Sequence, residues 1–196
     1  MTEPAGIPMD YDFSEERAGR LGARPVKEGF ILDFFTRRIC LGPGGVTALD
    51  GKEITPAIRH VLITYLNGCP DRLPGTAPTP VTFREFSGAA PLCSSFTANT
   101  VKTIERHFTG RPDVLANRAG DLGGIVHDQT HPDALGYDLS VVFPALPRIP
   151  VTLKFNDRDE IMPAAASLLY PDTAIAFLDL KSLMTIATYL TGCLIR

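Results

Sequence analysis

Two histidines and an aspartate form the densest set of possible metal ligands in this sequence. His127, Asp128 and His131 lie close together along the chain, and imidazole and carboxylate groups are ordinary ligands for zinc or iron. Pro132 and the nearby glycines indicate a loop, so the spacing is not that of a helical H-E-x-x-H motif. The pattern leaves two interpretations open, a metal site and a polar exposed loop.

A basic corner and an acidic cluster form a second place where chemistry is possible. Arg148 lies in the run A-L-P-R-I-P, and Asp157, Asp159 and Glu160 follow in the run N-D-R-D-E. The guanidinium could pair with one of these carboxylates, or it could bind the carboxylate of a ligand through two parallel hydrogen bonds. Structural ion pairs and binding sites use the same groups, so both interpretations stay open.

Two strand-like runs would position this corner. Residues 139–143 are rich in branched and aromatic side chains, and Pro144 and Pro147 are predicted to end the strand pairing there. Residues 151–155 alternate apolar and polar side chains, which predicts a strand with one buried face. A helix is predicted over residues 163–169.

The upstream chain shows clear helix starts and a pattern typical of hairpin-connected strands. Ser14, Thr55 and Asp179 are suitable N-cap residues, and Pro56 fits the first position of a helix. Residues 30–49, interrupted by glycine-rich turns, predict a small antiparallel meander. A further short strand over residues 122–126 carries Gly123 and Gly124, which would let another backbone or a ligand approach closely.

The corner and the segment after it resemble the C-terminal signature of an uncharacterised family. Its members are proteins with a domain of unknown function from anaerobic bacteria and archaea. The matching positions are Leu146, Pro147, Arg148, Ile149, Pro150, Asp159, Glu160 and Pro163. A Gly-Gly pair and a Gly-Asp pair that are frequent in the family are matched by Gly123 and Gly124, and by Gly136 and Asp138 with Tyr137 inserted.

The resemblance implies a metabolic setting rather than a reaction. Some relatives are fused to a small four-cysteine iron–sulfur domain, which implies corrinoid or other one-carbon and redox metabolism. This chain has Cys40, Cys69, Cys93 and Cys193 without a C-x-x-C motif. The spacing of a cluster-binding domain is therefore missing, and the four thiols are predicted to be reduced and buried.

Composition excludes several classes of function. The chain has 196 residues, with 44% hydrophobic and 21% charged residues, and a formal net charge of −3 argues against a nucleic-acid-binding surface. No apolar run approaches the roughly 20 residues of a membrane span, and the acidic N-terminus is unlike a secretion signal. We expect a cytoplasmic protein with a flexible tail over residues 1–12. The rest, residues 13–196, is expected to be a single α+β domain, a mostly antiparallel sheet with helices packed on one face.

The favoured hypothesis is an accessory protein that binds a cofactor or another small molecule. The carboxylates of a tetrapyrrole or corrinoid would meet Arg148. Gly123 and Gly124 would allow the close approach. The remaining candidate binding residues are the acidic cluster Asp157, Asp159 and Glu160.

Two further hypotheses stay open. The first is a metal-dependent hydrolase in which His127, Asp128 and His131 hold zinc or iron and Glu160 is the general base. The second is an interaction module for a redox partner protein, which would dock on the proline-rich loop over residues 70–80 or on the apolar last helix.

Overall fold

The computed structural model describes residues 14–27, 29–42, 45–75, 77–127, 131–132 and 136–196, so the predicted tail over residues 1–12 lies outside it. The helices and strands follow one another as α1 (Glu15–Leu21), β1 (Arg24–Val26), β2 (Gly29–Phe34), β3 (Arg37–Gly42), β4 (Gly45–Ala48), α2 (Pro56–Asn67), β5 (Pro80–Thr82), α3 (Ala90–Asn99), α4 (Val101–Phe108), α5 (Pro112–Asp121), β6 (Ile125–Val126), β7 (Leu139–Leu146), β8 (Ile149–Asn156), β9 (Ala165–Pro171) and α6 (Leu180–Leu194). Short 3₁₀ turns at Phe83–Glu85 and Asp172–Ala176 complete the described elements.

The strands form two antiparallel sheets. The first is the predicted N-terminal meander, with its four strands in the order β1-β2-β3-β4. The second has five strands in the order β5-β9-β8-β7-β6, so β8 lies at its centre. The predicted α+β class is therefore confirmed.

The central strand shows the predicted separation of faces. Val151, Leu153 and Phe155 are fully buried, whereas Thr152 and Lys154 lie half-buried on the opposite face. Fully burying an aliphatic or aromatic side chain contributes about 1.5–3 kcal/mol, so this strand is a large part of what holds the core together. The opposite face, which carries polar side chains, is where a site can form.

Local sequence signals set the helix starts as predicted. Ser14, Thr55 and Asp179 each accept a hydrogen bond from the backbone N–H three residues later, at 3.2, 3.4 and 2.7 Å. Pro56 is the first residue of α2, where its missing N–H leaves no hydrogen bond unmade. Each cap contributes about 1 kcal/mol, so these short polar signals fix where helices begin.

The last helix packs inward. α6 has 15 residues, and its apolar stripe is buried in the core that it shares with the sheets. The expectation that a partner docks on that stripe is therefore wrong, because the protein's own core covers it. In the described part of the chain, no helix combines the length and the apolar character needed to cross a bilayer. The buried side chains of the stripe are Leu183, Ile186, Ala187, Leu190 and Leu194.

Residues 165–171 form a strand, so the helix predicted after Pro163 is wrong. Ala166, Leu168 and Tyr170 are buried on one face of β9. The strand pairs with β8 on one side and with β5 on the other. The run A-A-A-S-L-L has good helix propensity, but intrinsic propensity is weak compared with two hydrogen-bonded neighbours and a buried face.

Strand β7 also continues past Pro144, where pairing was predicted to end. The register between β7 and β8 shifts between Phe143 and Leu146, and Leu146 then pairs with Ile149. A bulge leaves one residue without ladder hydrogen bonds, and a proline is tolerated at such a position. The hairpin therefore closes at residues 147–148, and the corner projects beyond the sheet.

Candidate functional site

The corner between β7 and β8 is docked on the C-terminal end of α1. Arg148 donates hydrogen bonds from Nε to the carbonyl oxygen of Arg20 at 2.7 Å and from Nη2 to that of Gly19 at 3.4 Å. The Tyr65 hydroxyl donates to the carbonyl oxygen of Leu21 at 2.8 Å, and burial raises the pKa of this hydroxyl. The last carbonyls of a helix have no intrahelical partners and carry the negative end of its dipole. Arg148 therefore caps a helix.

The same contact requires a glycine at the end of α1. Gly22 has φ +76°, and its N–H donates to the carbonyl of Gly19 at 3.0 Å, while Ala23 donates to that of Ala18 at 2.9 Å. This is the Schellman arrangement, in which a left-handed residue ends the helix. A Cβ atom on Gly22 would lie 2.5 Å from Cβ of Pro147, so the corner packs directly on this glycine.

The predicted pairing of Arg148 with the acidic cluster is wrong. Arg148 precedes β8 and the cluster follows it, and a strand of 8 residues spans about 26 Å. The guanidinium instead has two backbone acceptors on α1. Asp157, Asp159 and Glu160 thus belong to a different part of the surface from Arg148.

Gly123 and Gly124 allow the close approach of the protein's own chain. They complete a second Schellman arrangement at the end of α5, in which Gly124 donates to the carbonyl of Ala119 at 2.8 Å. A Cβ atom on Gly124 would lie 2.6 Å from Cγ1 of Val141 and 2.8 Å from the ring of Phe143. The space beside this glycine is filled by β7. The close approach of the protein's own chain therefore explains the glycine pair without a ligand.

Asp157 fastens the connection between β8 and β9, residues 157–164, to the end of α4. We call this connection the β8–β9 loop. The Asp157 carboxylate accepts a hydrogen bond at 2.7 Å from the N–H of Gly110, which follows α4. Its own N–H donates to the carboxylate of Asp138 at 2.7 Å. Asp157 thus positions the loop against α4.

Asp159 closes the β8–β9 loop on itself. One carboxylate oxygen accepts hydrogen bonds at 2.7 Å from the N–H groups of Ile161 and Met162. These bonds, that from Met162 foremost, lower the pKa of Asp159 because they stabilise its charged form. Glu160 is exposed at the tip, where Ile161 and Met162 are 87% and 62% exposed. The loop thus presents apolar side chains to solvent on a fixed backbone.

A groove lies between α4 and the β8–β9 loop. It has a volume of about 420 Å³, within the range of small-ligand sites. Three basic side chains line it, Lys102 and Arg106 from α4 and Arg158 from the loop. The guanidinium groups of Arg106 and Arg158 form no hydrogen bond or ion pair with other described residues. The remaining lining residues are Glu105, Thr109, Pro163 and Ala164.

Glu105 sets the geometry of this groove. Its Oε1 accepts a hydrogen bond from the N–H of Ala166 at 3.1 Å, and its Oε2 accepts one from Nζ of Lys102 at 2.6 Å. The first bond ties α4 to the start of β9. With Asp157 on Gly110, α4 is held at two points, one at the start of the β8–β9 loop and one just after its end.

The two histidines of the predicted metal site lie together. The ring centroids of His127 and His131 are 3.9 Å apart, with an angle of 30° between the ring planes. Nδ1 of His127 is buried and has no hydrogen-bond partner within the described residues, and the same is true of the hydroxyl of Ser140. Asp128, the third predicted ligand, lies outside the described residues.

No larger set of ligands surrounds them in the described part of the chain, where no group of three or more His, Cys, Asp or Glu side chains could hold a metal ion. The four cysteines are free thiols, and all are half-buried rather than buried as predicted. Glu160, the predicted general base, lies at the exposed tip of the β8–β9 loop.

The fold and the groove define an α+β protein made of two antiparallel sheets, with a preformed cationic groove on its surface. The family of such a chain is found by comparison: a family model described as a domain of unknown function, DUF3786, matches residues 13–192. The chain belongs to this family. A search of curated proteins and a search of solved structures find no match to this chain.

The basic residues of the groove were missed in the sequence. Lys102 and Arg106 are four residues apart in α4, and that spacing places side chains on one face of a helix. Arg158 stands inside the acidic run N-D-R-D-E, which we interpreted through its carboxylates alone. The spacing of the two basic residues on α4 was therefore visible in the sequence. That they face Arg158 of the β8–β9 loop depends on contacts between segments far apart in the chain.

Proposed function

We propose that this chain is an accessory protein that binds a small anionic molecule in the groove between α4 and the β8–β9 loop. One observation carries the proposal: Lys102, Arg106 and Arg158 converge from two elements on one preformed groove. A guanidinium group presents donors in a planar fork that matches a carboxylate or phosphate. Two such groups without described partners favour an anion with more than one acceptor group.

The exposed tip of the loop narrows the class of ligand. Ile161 and Met162 follow Arg158 by three and four residues in the same loop and expose most of their apolar surface. An amphiphilic anion would place its charged groups on the arginines and its apolar part against this tip. A corrinoid or another tetrapyrrole with carboxylate side chains has this character, and it agrees with the redox or one-carbon setting that the family resemblance implied.

The experiment is a titration of the full chain followed by calorimetry and visible absorbance. The probes are haem and cobyrinic acid as amphiphilic macrocycles with free carboxylates, and citrate and pyrophosphate as simple anions. Substitution of Arg106 and Arg158 by Gln should weaken binding of the preferred probe at least tenfold, because each charge-assisted hydrogen bond is worth more than 1.4 kcal/mol. Arg118→Gln, an exposed substitution on α5 outside the groove, is the matched control.

The outcomes separate the alternatives. Binding of a macrocycle that depends on Arg106 and Arg158 supports the proposal in its narrow form. Binding of citrate or pyrophosphate alone supports an anion site without the apolar contact. If no probe binds, or if Arg118→Gln weakens binding as much as the groove substitutions do, the groove is not a ligand site.

A further inference from the structure

A hydrogen bond joins the two walls of the cationic groove. Arg106 lies in the last turn of α4 and Arg158 in the β8–β9 loop, so the two guanidinium groups come from separate walls. Arg158 directly follows Asp157, whose carboxylate accepts a hydrogen bond from the N–H of Gly110 at 2.7 Å. Gly110 lies just after the end of α4. This bond therefore ties the backbone beside one arginine to the backbone beside the other.

Asp157 is itself held by the strands behind it. Its N–H donates to the carboxylate of Asp138 at 2.7 Å, and the N–H of Asp138 donates to Oδ1 of Asn156 at 2.9 Å. Nδ2 of Asn156 donates in turn to the carbonyl of Gly136 at 3.2 Å. These bonds join the end of β8 to the chain that enters β7. The carboxylate that holds α4 is therefore anchored on the sheet.

The charges of the groove leave the two arginines as its binding groups. Lys102 forms an ion pair at 2.6 Å with Glu105, whose side chain is 12% exposed, so the charge of this lysine is already compensated. Arg106 and Arg158 have no such partner among the described residues, and each guanidinium can bind a carboxylate through two parallel hydrogen bonds. Once one carboxylate of a ligand is bound, the second binds at a high effective concentration only if the separation of the two fits.

We propose that Asp157 is a positioning residue that sets the separation of Arg106 and Arg158, and that the groove therefore selects ligands with two anionic groups at one matching separation. The inference rests on the proposed function and adds a length requirement to it. Binding groups that are already in place lose less freedom on binding than mobile ones, so a fixed separation favours the matching ligand over shorter and longer ones. The Asp157 charge acts in the opposite direction, since a carboxylate repels an anion.

The test is titration of the full chain with linear dicarboxylates of increasing length, namely succinate, glutarate, adipate and suberate, at constant ionic strength. Binding is followed by the backbone ¹H–¹⁵N shifts of α4 and the β8–β9 loop, and acetate is the reference with a single carboxylate. The affinity should peak at one length, and the best dicarboxylate should bind at least about tenfold more tightly than acetate. Arg106→Gln and Arg158→Gln should each remove the peak.

Substitutions of Asp157 separate its position from its charge. Asp157→Ala removes the hydrogen-bond acceptor and the charge, and it should weaken the best dicarboxylate at least about fivefold and flatten the dependence on length. Loss of the charge alone would strengthen binding of every member of the series, so the two explanations predict opposite signs. Asp157→Asn keeps an oxygen acceptor and should keep the peak. Asp157→Glu keeps the charge but lengthens the side chain, so it should shift the peak to another length.

Hydrogen exchange of the Gly110 amide checks the contact without a ligand. This amide should exchange at least about tenfold faster in Asp157→Ala, because it loses a charge-assisted hydrogen bond. If dicarboxylates bind through both arginines but the peak is the same in Asp157→Ala and Asp157→Glu, the positioning role is overturned and the proposed function stands. A series without a peak in the unsubstituted protein would also overturn it. If no anion binds at all, the proposed function fails and the positioning role fails with it.

Discussion

Replacing Arg148 by methionine separates a structural from a ligand-binding role for the corner. Methionine keeps most of the aliphatic stem but removes both hydrogen bonds from the guanidinium to α1. The bond to Arg20 at 2.7 Å is short and charge-assisted, whereas that to Gly19 at 3.4 Å is long and contributes little. A hydrogen bond from a charged group is worth about 1.5–3 kcal/mol, and the exposed position places this one at the lower end.

The helix dipole adds to this loss. A cation at a helix C-terminus contributes about 0.3–1 kcal/mol, so the total expected for Arg148→Met is about 2 kcal/mol. In a chain of this size that free energy corresponds to a fall in Tm of about 4–8 °C, or to a fall of about 1 M in the urea midpoint. Binding of the preferred anion in the groove should not change, since Arg148 lies at the other end of β8.

The assay is urea unfolding followed by far-ultraviolet circular dichroism, because the chain has no tryptophan to report by fluorescence. Arg118→Met, an exposed arginine on α5, is the control for the loss of a charge. A midpoint for Arg148→Met equal to that of the unsubstituted protein would refute the capping role. So would an equal fall in Arg118→Met. Weaker anion binding at unchanged stability would show that Arg148 takes part in ligand binding.

Two further predictions test the packing of the glycine pair and the charge of the loop. Gly124→Ala should lower the free energy of unfolding by about 1–3 kcal/mol, because the added Cβ would lie 2.6 Å from Cγ1 of Val141. The control is Gly120→Ala, whose Cβ meets nothing within 4 Å. It should be neutral or stabilising in the same urea assay. The pKa of Asp159 is lowered in the folded protein, chiefly by the hydrogen bond from the N–H of Met162. The contribution of this carboxylate to the free energy of unfolding is therefore present above the unfolded pKa of about 3.9, and it is lost as pH falls through the folded pKa. The difference in urea midpoint between the unsubstituted protein and Asp159→Ala should therefore be largest near about pH 6 and shrink towards about pH 3; a difference independent of pH would contradict this.

Features that depend on a few neighbouring residues were predictable from the sequence. Ser14, Thr55 and Asp179 bond to N–H groups three residues away, and the alternation in β8 follows from the period of a strand. β9 was missed, because its alanine-rich start favours a helix and only β5 and β8 make it a strand. α3 was missed as well: its segment carries little helical periodicity, and Ala89 provides no side-chain cap.

The candidate site was predicted in part, for the same reason. His127 and His131 are near neighbours in sequence and do lie together. Arg148 was placed with the carboxylates that follow it, but its acceptors on α1 are more than a hundred residues away in the chain.

The corner that carried the family resemblance is accounted for by the fold. Pro147 packs on Gly22 and Arg148 caps α1, so this part of the signature specifies how the hairpin docks on the N-terminal helix. Arg106 and Arg158, which line the groove, are not among the positions that carry the resemblance. A signature of this kind identifies the fold without identifying a ligand. Members of the family that keep the corner but differ at these two arginines should therefore share the structure and differ in what they bind.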